Sequence, residues 1–218
     1  GGLPVLPAGG FLEHTLLRML ERRHATDPAG LPRPVHRLGR FTTGLLVCAR
    51  RPASRAWLSQ LLRDSTASGA PPACRKQYRA LLQPGRLPLD PGQTLELTTP
   101  IGRRPHRRLG WIWAAAEPAD PAPLAARSRL TLLRRRPDGD LVEVVIASGR
   151  PHQIRIHCAA AGAPLLGDPL YGPGGQARPG GLPGDGGYQL HAHRLELERP
   201  DGASLVLTAP PPVALADP

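Results

Sequence analysis

The stretch SGRPHQIRIHCAAAGAPLLGDPLYG, residues 148–172, decides the fold. It follows LVEVVIAS (141–148), an apolar run with several β-branched residues, which predicts a buried strand. Gly149 then turns the chain. Pro151 suits the first turn of a helix, which we expect to continue to about Ala161. The sequence therefore predicts a strand, a tight turn and a helix in direct succession.

Three cationic or titratable side chains mark the start of this predicted helix. Arg150, His152 and Arg155 all fall near the end where the helix dipole is positive. Backbone N–H groups and positive charge together make such a helix start a site for anions, phosphate included. The pattern predicts a phosphate-binding or carboxylate-binding position here.

Two further segments upstream contain chemically useful residues. PVHRLGRFTTGLLVCAR spans 34–50, and its apolar part GLLVCAR (44–50) predicts a buried strand. The motif CRKQYRALL (74–82) places Tyr78 beside basic residues, on a strand predicted from Gln77 to Gln83. A tyrosine can stack on a nucleobase and also form a hydrogen bond, although a half-buried strand tyrosine taken by itself more often serves packing.

Two amphipathic helices are expected in the first third of the chain. The first covers residues 11–25, and the second follows Pro52 to about Asp64. Their predicted inward residues are Leu12, Leu16, Met19 and Leu20 in the first, and Trp57, Leu58, Leu61 and Leu62 in the second.

The remaining segments alternate between strands and loops. We expect loops at 65–73 and 172–187, loops with short strands over 84–128, and a strand at 129–134. LHAHRLEL (190–197) and SLVLTAP (204–210) predict a hairpin. Helices and strands are interspersed without strict alternation, which predicts an α+β fold with a mixed sheet.

The charge balance points to a polyanionic partner. Arginines and lysines exceed acidic residues by 28 − 17 = 11, the pI is near 11.1, and Lys76 is the only lysine. Arginine binds phosphates in a bidentate manner and stacks on bases, which favours RNA or DNA, whereas the codon bias of a GC-rich genome is the alternative source of arginine. No apolar run reaches the length of a bilayer span, and the three widely spaced cysteines indicate reduced thiols without a metal.

Taken in order, the motifs resemble the RluA-type RNA pseudouridine synthases. The matching segments cover nearly the whole chain and are GLPVLP, HRLGRFTTGLLVCAR, KQYRALL, PIGR, GRPHQIRIH, GDPLYG and LHAHRLEL. HRLGR together with GDPLYGPGGQ and PGDGGYQLHAH is also similar to a plant organellar branch of that family. This branch has glycine where other members have a catalytic aspartate.

The resemblance implies a single domain over residues 1–218 with the pseudouridine synthase fold. That fold has a mixed, largely antiparallel central sheet in two halves, a deep cleft and flanking helices. The implied reaction converts uridine in RNA to its C-glycoside isomer without a metal or an organic cofactor. The chain does not begin with methionine, which suggests a trimmed N-terminus, and we expect no separate S4-like RNA-binding domain within it.

The resemblance also assigns roles to individual residues. Arg37 would fill the space left by the flipped base, Tyr78 would stack on that base, and Arg155 would face the catalytic carboxylate. The carboxylate position itself is Gly39, which can act neither as nucleophile nor as base. If the carboxylate is missing, we expect Arg155 to meet water, phosphate or another carboxylate, or to swing outward.

Other polar residues receive less specific assignments. The expected RNA-binding group also contains His36, Arg40, Lys76, Arg150 and His152. The basic run GRRPHRRLG (102–110) is expected to be a solvated, RNA-facing loop.

Several aspartates and histidines could supply an acid in place of the missing carboxylate or could bind a metal. Asp168, Asp64, Asp138 and Asp140 are candidates for a substitute acid. Each also has a simpler structural explanation: Asp168 would brace a turn, Asp64 would be solvated at a helix end, and Asp138 and Asp140 would flank a turn. His191 and His193 lack further ligands at metal-binding spacing and are expected to pack or form hydrogen bonds.

The sequence therefore leaves three hypotheses for function. The first is a pseudouridine synthase acting on structured rRNA or tRNA, and the second is an RNA-binding pseudoenzyme of the same fold. The third is an unrelated basic RNA-binding module, which the ordered motifs disfavour. A monomer without membrane association is expected. The subgroup resemblance favours a plastid, with the cytoplasm and the mitochondrion as alternatives.

Overall fold

The computed structural model describes residues 1–7, 12–64, 74–146 and 148–217. The strands in these ranges are β1 (Arg33–Pro34), β2 (Thr43–Gly44), β3 (Cys48–Ala49), β4 (Cys74–Leu82), β5 (Thr94–Leu97), β6 (Ile101–His106), β7 (Gly110–Ala115), β8 (Ser128–Arg134), β9 (Asp140–Ile146), β10 (Leu190–Glu198) and β11 (Ser204–Thr208). The helices are α1 (Leu16–Arg23), α2 (Pro52–Asp64), α3 (Gln153–Ala160) and a 3₁₀ turn, Val213–Leu215.

Seven strands form the central sheet. Its order is β11–β10–β4–β9–β8–β5, all antiparallel, and β2 pairs with β10 in parallel. The approach of β2 to β10 requires a glycine, because Gly44 has φ +98° and an added Cβ would overlap the Ala192 carbonyl. The predicted α+β class with a mixed, largely antiparallel sheet and flanking helices is confirmed.

The core divides into clusters around this sheet. One cluster joins the middle of the sheet to α3 through apolar side chains that include Leu82, Leu130, Val142, Ile154 and Cys158. A second cluster packs the apolar residues of α2 against the ends of β4 and β10. Leu58 and Leu62 are buried there with Trp57 and Leu61 packed around them, as the sequence predicts.

The segment GLLVCAR differs from its prediction as a continuous buried strand. Only Thr43–Gly44 and Cys48–Ala49 pair as strands, and Leu45 to Val47 are half-buried. The two pieces pair with different partners, β2 with β10 and β3 with β1, so the chain must change direction between them. An apolar run alone does not reveal such a change of partner.

The basic run 102–110 is a hairpin and not a solvated loop. Strands β6 and β7 pair along their full length, with the turn at residues 107–109. Arg103 stacks on the Trp111 ring, with its guanidinium carbon 4.4 Å from the ring centroid. Cross-strand pairing of this kind satisfies the backbone groups of a polar segment, which composition alone led us to assign as a loop.

Helices α1 and α3 are shorter than predicted. Helix α1 begins at Leu16, after Thr15 caps its first turn, and its residues include none that is fully buried. Leu12 and Met19, which were predicted to face inward, are 63% and 53% exposed. Helix α3 begins at Gln153 and not at Pro151, because His152 adopts a left-handed backbone with φ 53°, which cannot continue a helix.

The other predicted elements are confirmed where the structure describes them. They are α2, the strand predicted at 129–134, the loop at 172–187, the final hairpin β10–β11 and the strand predicted at 141–148, which is observed as β9 and ends at Ile146. The predicted loop 65–73 and the side chain of Asp64 lie outside the described residues. Among the described helices, none is both long and apolar enough to cross a bilayer. The three cysteines form no disulfide within the described chain.

Candidate functional site

Arg155 and Asp168 form a buried ion pair at the start of α3. Arg155 Nε donates to Asp168 Oδ2 and Nη2 donates to Oδ1, both at 2.7 Å. Both side chains are almost fully buried, at 4% and 1% exposure. The carboxylate that faces Arg155 is therefore Asp168, one of the outcomes that the sequence left open.

Asp168 also braces the turn that follows it, as predicted. Its Oδ1 atom accepts hydrogen bonds from the backbone N–H groups of Leu170, at 2.9 Å, and Tyr171, at 3.2 Å. The carboxylate thus accepts four hydrogen bonds, which is about the number of lone pairs it has. Asp168 is consequently committed to structure, because Oδ1 accepts three of these hydrogen bonds and Oδ2 is held by Arg155 in the buried pair.

The guanidinium of Arg155 lies over two aromatic rings. Its central carbon is 4.2 Å from the Tyr188 ring centroid and 5.1 Å from the Tyr171 ring centroid. Burial alone would lower the pKa of Arg155, but the hydrogen bonds and charge of Asp168 outweigh this and raise it. Arg155 is therefore a fixed cation, held by one carboxylate and two ring faces.

Gly39 is exposed and lies beside the hydroxyl of Tyr188, whose ring is under Arg155. Its backbone does not adopt the left-handed conformation, so other residues could occupy the position without backbone strain. A Cβ placed there would lie 2.6 Å from the Tyr188 hydroxyl oxygen and 3.2 Å from Thr42 Oγ1. The Tyr188 hydroxyl therefore occupies the space into which any side chain at position 39 would project.

His152 connects the helix start to the same site. Its Nδ1 atom lies 2.7 Å from the Tyr171 hydroxyl oxygen, and that hydroxyl donates to the Trp113 carbonyl at 2.7 Å. Because a phenol has one proton, His152 Nδ1 must be the donor, which leaves Nε2 as an acceptor. Burial and then the charges of Arg155 and Arg37 lower the pKa of His152 to about 3, so the ring is neutral at physiological pH.

Tyr78 lies on β4, in the middle of the sheet. It pairs with Ala192 of β10 on one side and Val144 of β9 on the other. Its side chain packs against the core cluster that contains Tyr188. Burial, with a smaller effect of Cys74, raises the pKa of Tyr78 to about 12, so the phenol stays protonated at neutral pH.

Some of the predicted RNA-binding residues also hold the scaffold together. His36 Nε2 accepts from the Val47 N–H at 2.9 Å, and Lys76 Nζ donates to the Leu62 carbonyl at 3.0 Å. Burial, together with the charge of Lys76, lowers the pKa of His36 to about 4. Burial also lowers the pKa of Lys76. Both are thus engaged with the chain itself, and their contact with RNA stays a prediction.

The predicted RNA-binding arginines fall into two groups. Arg40 donates to the carbonyls of Gly2 and Gly184, and Arg150 donates to the carbonyl of Ala125. Arg37, by contrast, is exposed and close enough to His152 to lower its pKa. Arg37 is therefore the member of the predicted set that is best placed to meet a ligand at this site.

The remaining aspartate and histidine candidates have structural roles elsewhere in the fold or are exposed. Asp140 is buried, pairs with Arg135 at 2.9 Å and accepts from the Gly85 N–H, whereas Asp138 is exposed on its turn. His191 and His193 form hydrogen bonds to the Ala209 carbonyl, in agreement with the packing role expected for them. Among the described residues no cluster of three metal-ligating side chains is present.

Tyr188 is the residue that sequence reasoning missed. It follows a glycine-rich stretch, 184–187, and lies two residues before the start of β10, so its position between a glycine-rich loop and a sheet strand was the available signal. The relation of Tyr188 to Gly39 depends on β2 and β10 being neighbours, which no local pattern reveals.

Comparison with known proteins agrees with this geometry. The family model described as RNA pseudouridylate synthase matches residues 11–160. The chain belongs to this family. It is 42% identical to an uncharacterized RNA pseudouridine synthase of Synechocystis, over all of this chain and 69% of that protein. It is 37% identical to RNA pseudouridine synthase 5 of rice, over 97% of this chain and 63% of that protein.

A solved structure of a family member confirms the fold. Human RNA pseudouridylate synthase domain containing 4 superposes with a TM-score of 0.70 at 21% identity, covering 98% of this chain and 84% of that chain. The chain thus spans about two thirds of the length of its first curated relatives and most of this structural neighbour.

Proposed function

We propose that this protein is an RNA pseudouridine synthase, which isomerises uridine within structured RNA. The reaction breaks the bond between ribose C1′ and uracil N1, turns the base and joins C1′ to C5. The observation that carries the proposal is that Gly39 and Arg155 both border Tyr188, and that Arg37 and Arg155 both act on His152, in a chain of this family. Relatives named RNA pseudouridine synthase support it.

The charges of the site suit a flipped nucleotide. The exposed Arg37 and the buried Arg155 both raise the positive potential at His152, which favours a phosphate or a ribose oxygen there. Tyr78 offers a protonated phenol on an aromatic ring, which can stack on a base and donate a hydrogen bond. These residues bind and orient the nucleotide, and the isomerisation itself uses only the atoms of the substrate and the protein.

The proposal is tested by release of tritium from RNA that contains [5-³H]uridine. Joining C5 to C1′ expels the hydrogen on C5, so each turnover transfers tritium to water. The purified protein is incubated with labelled transcripts of ribosomal and transfer RNA. Release that grows with time and with protein concentration supports the proposal. Tight RNA binding without any release from either transcript class contradicts it.

An RNA-binding pseudoenzyme of the same fold is the second candidate. One observation favours it: position 39, where the family resemblance leads us to expect a catalytic aspartate, has no side chain. Removal of an essential nucleophile lowers a rate by several orders of magnitude. The tritium experiment separates the two candidates, because both predict RNA binding and only the synthase predicts release.

We also propose that the protein works in a plastid. The similarity to a rice protein and to a cyanobacterial one supports this location. Expression of the full-length protein with a C-terminal fluorescent tag in plant cells tests it. Fluorescence confined to chloroplasts is expected, and fluorescence confined to the cytoplasm or to mitochondria would contradict the proposed location.

A further inference from the structure

The Tyr188 hydroxyl stands where the family resemblance leads us to expect a carboxylate. A Cβ at position 39 would lie 2.6 Å from this oxygen, which is well inside van der Waals contact. An aspartate at 39 and the hydroxyl at 188 therefore exclude each other in the present arrangement. The glycine at 39 and the tyrosine at 188 thus form a matched pair.

The Tyr188 hydroxyl is held in place by its ring and has no hydrogen-bond partner among the described residues. Its ring is buried, at 4% exposure, under the Arg155 guanidinium and edge-on to Phe41. In the part of the chain that the structure describes, the hydroxyl makes no hydrogen bond. The oxygen is not among the buried polar atoms that lack a hydrogen-bond partner, so it remains in reach of solvent. The ring is therefore fixed by packing while its oxygen borders the exposed position 39.

The other oxygen atoms near position 39 are less suited to chemistry. Asp168 accepts four hydrogen bonds and is 1% exposed, so it cannot receive a proton or attack a substrate without breaking the site. The Thr42 hydroxyl would lie 3.2 Å from a Cβ at position 39, but an alcohol is a far weaker acid than a phenol. Of the two hydroxyl oxygens that the structure describes beside position 39, that of Tyr188 belongs to a ring stacked under a cation, the Arg155 guanidinium.

We propose that Tyr188 replaces the carboxylate as the catalytic group that acts on the ribose of the target nucleotide. A tyrosine oxygen is an established nucleophile at an anomeric carbon, as in the sialidase class of glycosidases. The guanidinium 4.2 Å above the ring stabilises the negative charge that develops on the oxygen as its proton leaves. The inference rests on the proposed synthase function.

The step balances without a further reactant. The phenolic oxygen bonds to C1′ as the C1′–N1 bond breaks, and the phenolic proton passes to uracil N1. After the base turns, C5 bonds to C1′ and the C1′–oxygen bond breaks, which regenerates the phenolate. The proton on C5 is then lost, and one proton returns to the phenolate from solvent. Uridine and pseudouridine are isomers, so no oxidant or reductant is required.

The test compares four variants with the wild type in the tritium assay, with RNA affinity measured in parallel. They are Tyr188→Phe, Thr42→Val, Gly39→Asp and the double variant Gly39→Asp with Tyr188→Phe. Tyr188→Phe retains the ring under Arg155 and removes only the oxygen, so it is expected to fold. We expect it to lose on the order of 10³-fold or more in rate, with unchanged RNA affinity. Thr42→Val is the matched control, and its tritium-release rate should stay within about threefold of the wild-type rate, since a tenfold change would need about 1.4 kcal/mol of transition-state stabilisation.

The double variant tests the steric exchange. Gly39→Asp alone places a side chain against the Tyr188 hydroxyl. The double variant removes that oxygen, and the nearest remaining ring atom is 3.8 Å from the Cβ. We therefore expect release to be higher in the double variant than in Tyr188→Phe alone or Gly39→Asp alone.

Distinct outcomes overturn distinct statements. Wild-type rates in Tyr188→Phe would overturn the assignment of Tyr188 and leave the synthase function standing. A Gly39→Asp variant more active than the double variant would overturn the mutual exclusion of the two side chains. No release from the wild type on bound RNA would overturn the synthase function, and the catalytic role of Tyr188 with it.

Discussion

Arg155 and Asp168 are joined by two hydrogen bonds of 2.7 Å in a nearly dry part of the protein. The pair explains how Arg155 stays in place although position 39 offers it no carboxylate. Asp168 in turn holds the backbone of Leu170 and Tyr171, so the pair connects α3 to the glycine-rich loop that follows. The charge of Arg155 is thereby fixed over the Tyr188 ring and close to His152.

The first prediction concerns the stability of this pair. Asp168→Asn leaves the buried guanidinium without a counter-charge and should lower the free energy of unfolding by about 3–5 kcal/mol. The matched control is Glu96→Gln, which breaks an exposed pair with Arg129 and should cost about 1 kcal/mol or less. Urea unfolding monitored by circular dichroism measures both. Equal losses in the two variants would show that the buried pair contributes no more than a surface pair.

The second prediction concerns Tyr78. Tyr78→Phe keeps the ring that packs against the core and removes the hydroxyl, so stacking on a base is preserved while proton donation is lost. Loss of a positioned acid or base lowers a rate by about 10²–10⁴-fold, and we expect a tritium-release rate reduced within that range. RNA affinity measured by filter binding should change less than about threefold, which corresponds to well under 1.4 kcal/mol of binding free energy. An unchanged rate would assign Tyr78 to packing alone.

The third prediction concerns the basic hairpin β6–β7. Arg107 and Arg108 are exposed at its turn, where they can contact phosphates without disturbing the strands. Replacing both with alanine should weaken RNA binding and lower the slope of log K against log salt concentration by about 1.4–1.8, as expected for two lost phosphate contacts. Binding is measured by fluorescence anisotropy at several salt concentrations.

The control for the hairpin removes the same charge elsewhere. Arg86 and Arg199 are exposed and lie outside the hairpin, and their double replacement with alanine has the same effect on net charge. The slope should then change clearly less than in the hairpin variant. If the two double variants behave alike, the RNA responds to overall charge and not to the hairpin.

The fourth prediction concerns pH and His152. Folding lowers the pKa of His152 from its ordinary value of 6.5 to about 3, so the unfolded chain binds more protons between these values. Stability should therefore fall as the pH decreases through this window, by about 1.4 kcal/mol per pH unit for one such group. His36, with a pKa of about 4, adds a similar loss above pH 4.

The measurement compares His152→Asn with the wild type from pH 7 to pH 4. Asparagine tolerates the left-handed backbone of position 152 and does not titrate. The slope of the unfolding free energy against pH should therefore correspond to about one bound proton fewer in the variant than in the wild type. The exposed His14→Asn serves as the control and should retain the wild-type slope. A wild-type slope in His152→Asn would place the acid sensitivity in other groups.

Local sequence patterns predicted most of the elements correctly. The apolar spacing of α2, the alternating residues of β10 and β11 and the strand before α3 depend on neighbours within one element, and these were predicted close to their observed bounds. Failures occurred where long-range pairing decides the structure. Residues 43–49 divide between two partner strands, and residues 102–110 pair as a hairpin despite their polar composition.

The sequence by itself determined the family, the α+β class and the cationic character of the start of α3, because motifs and periodicity are local properties. It also showed that position 39 lacks a side chain. The tertiary structure alone decided which carboxylate meets Arg155 and which oxygen lies over Gly39. Asp168 reaches Arg155 across a turn, and Tyr188 reaches Gly39 because β2 and β10 are neighbours in the sheet. Such contacts join residues distant in the chain, and sheet topology sets their geometry.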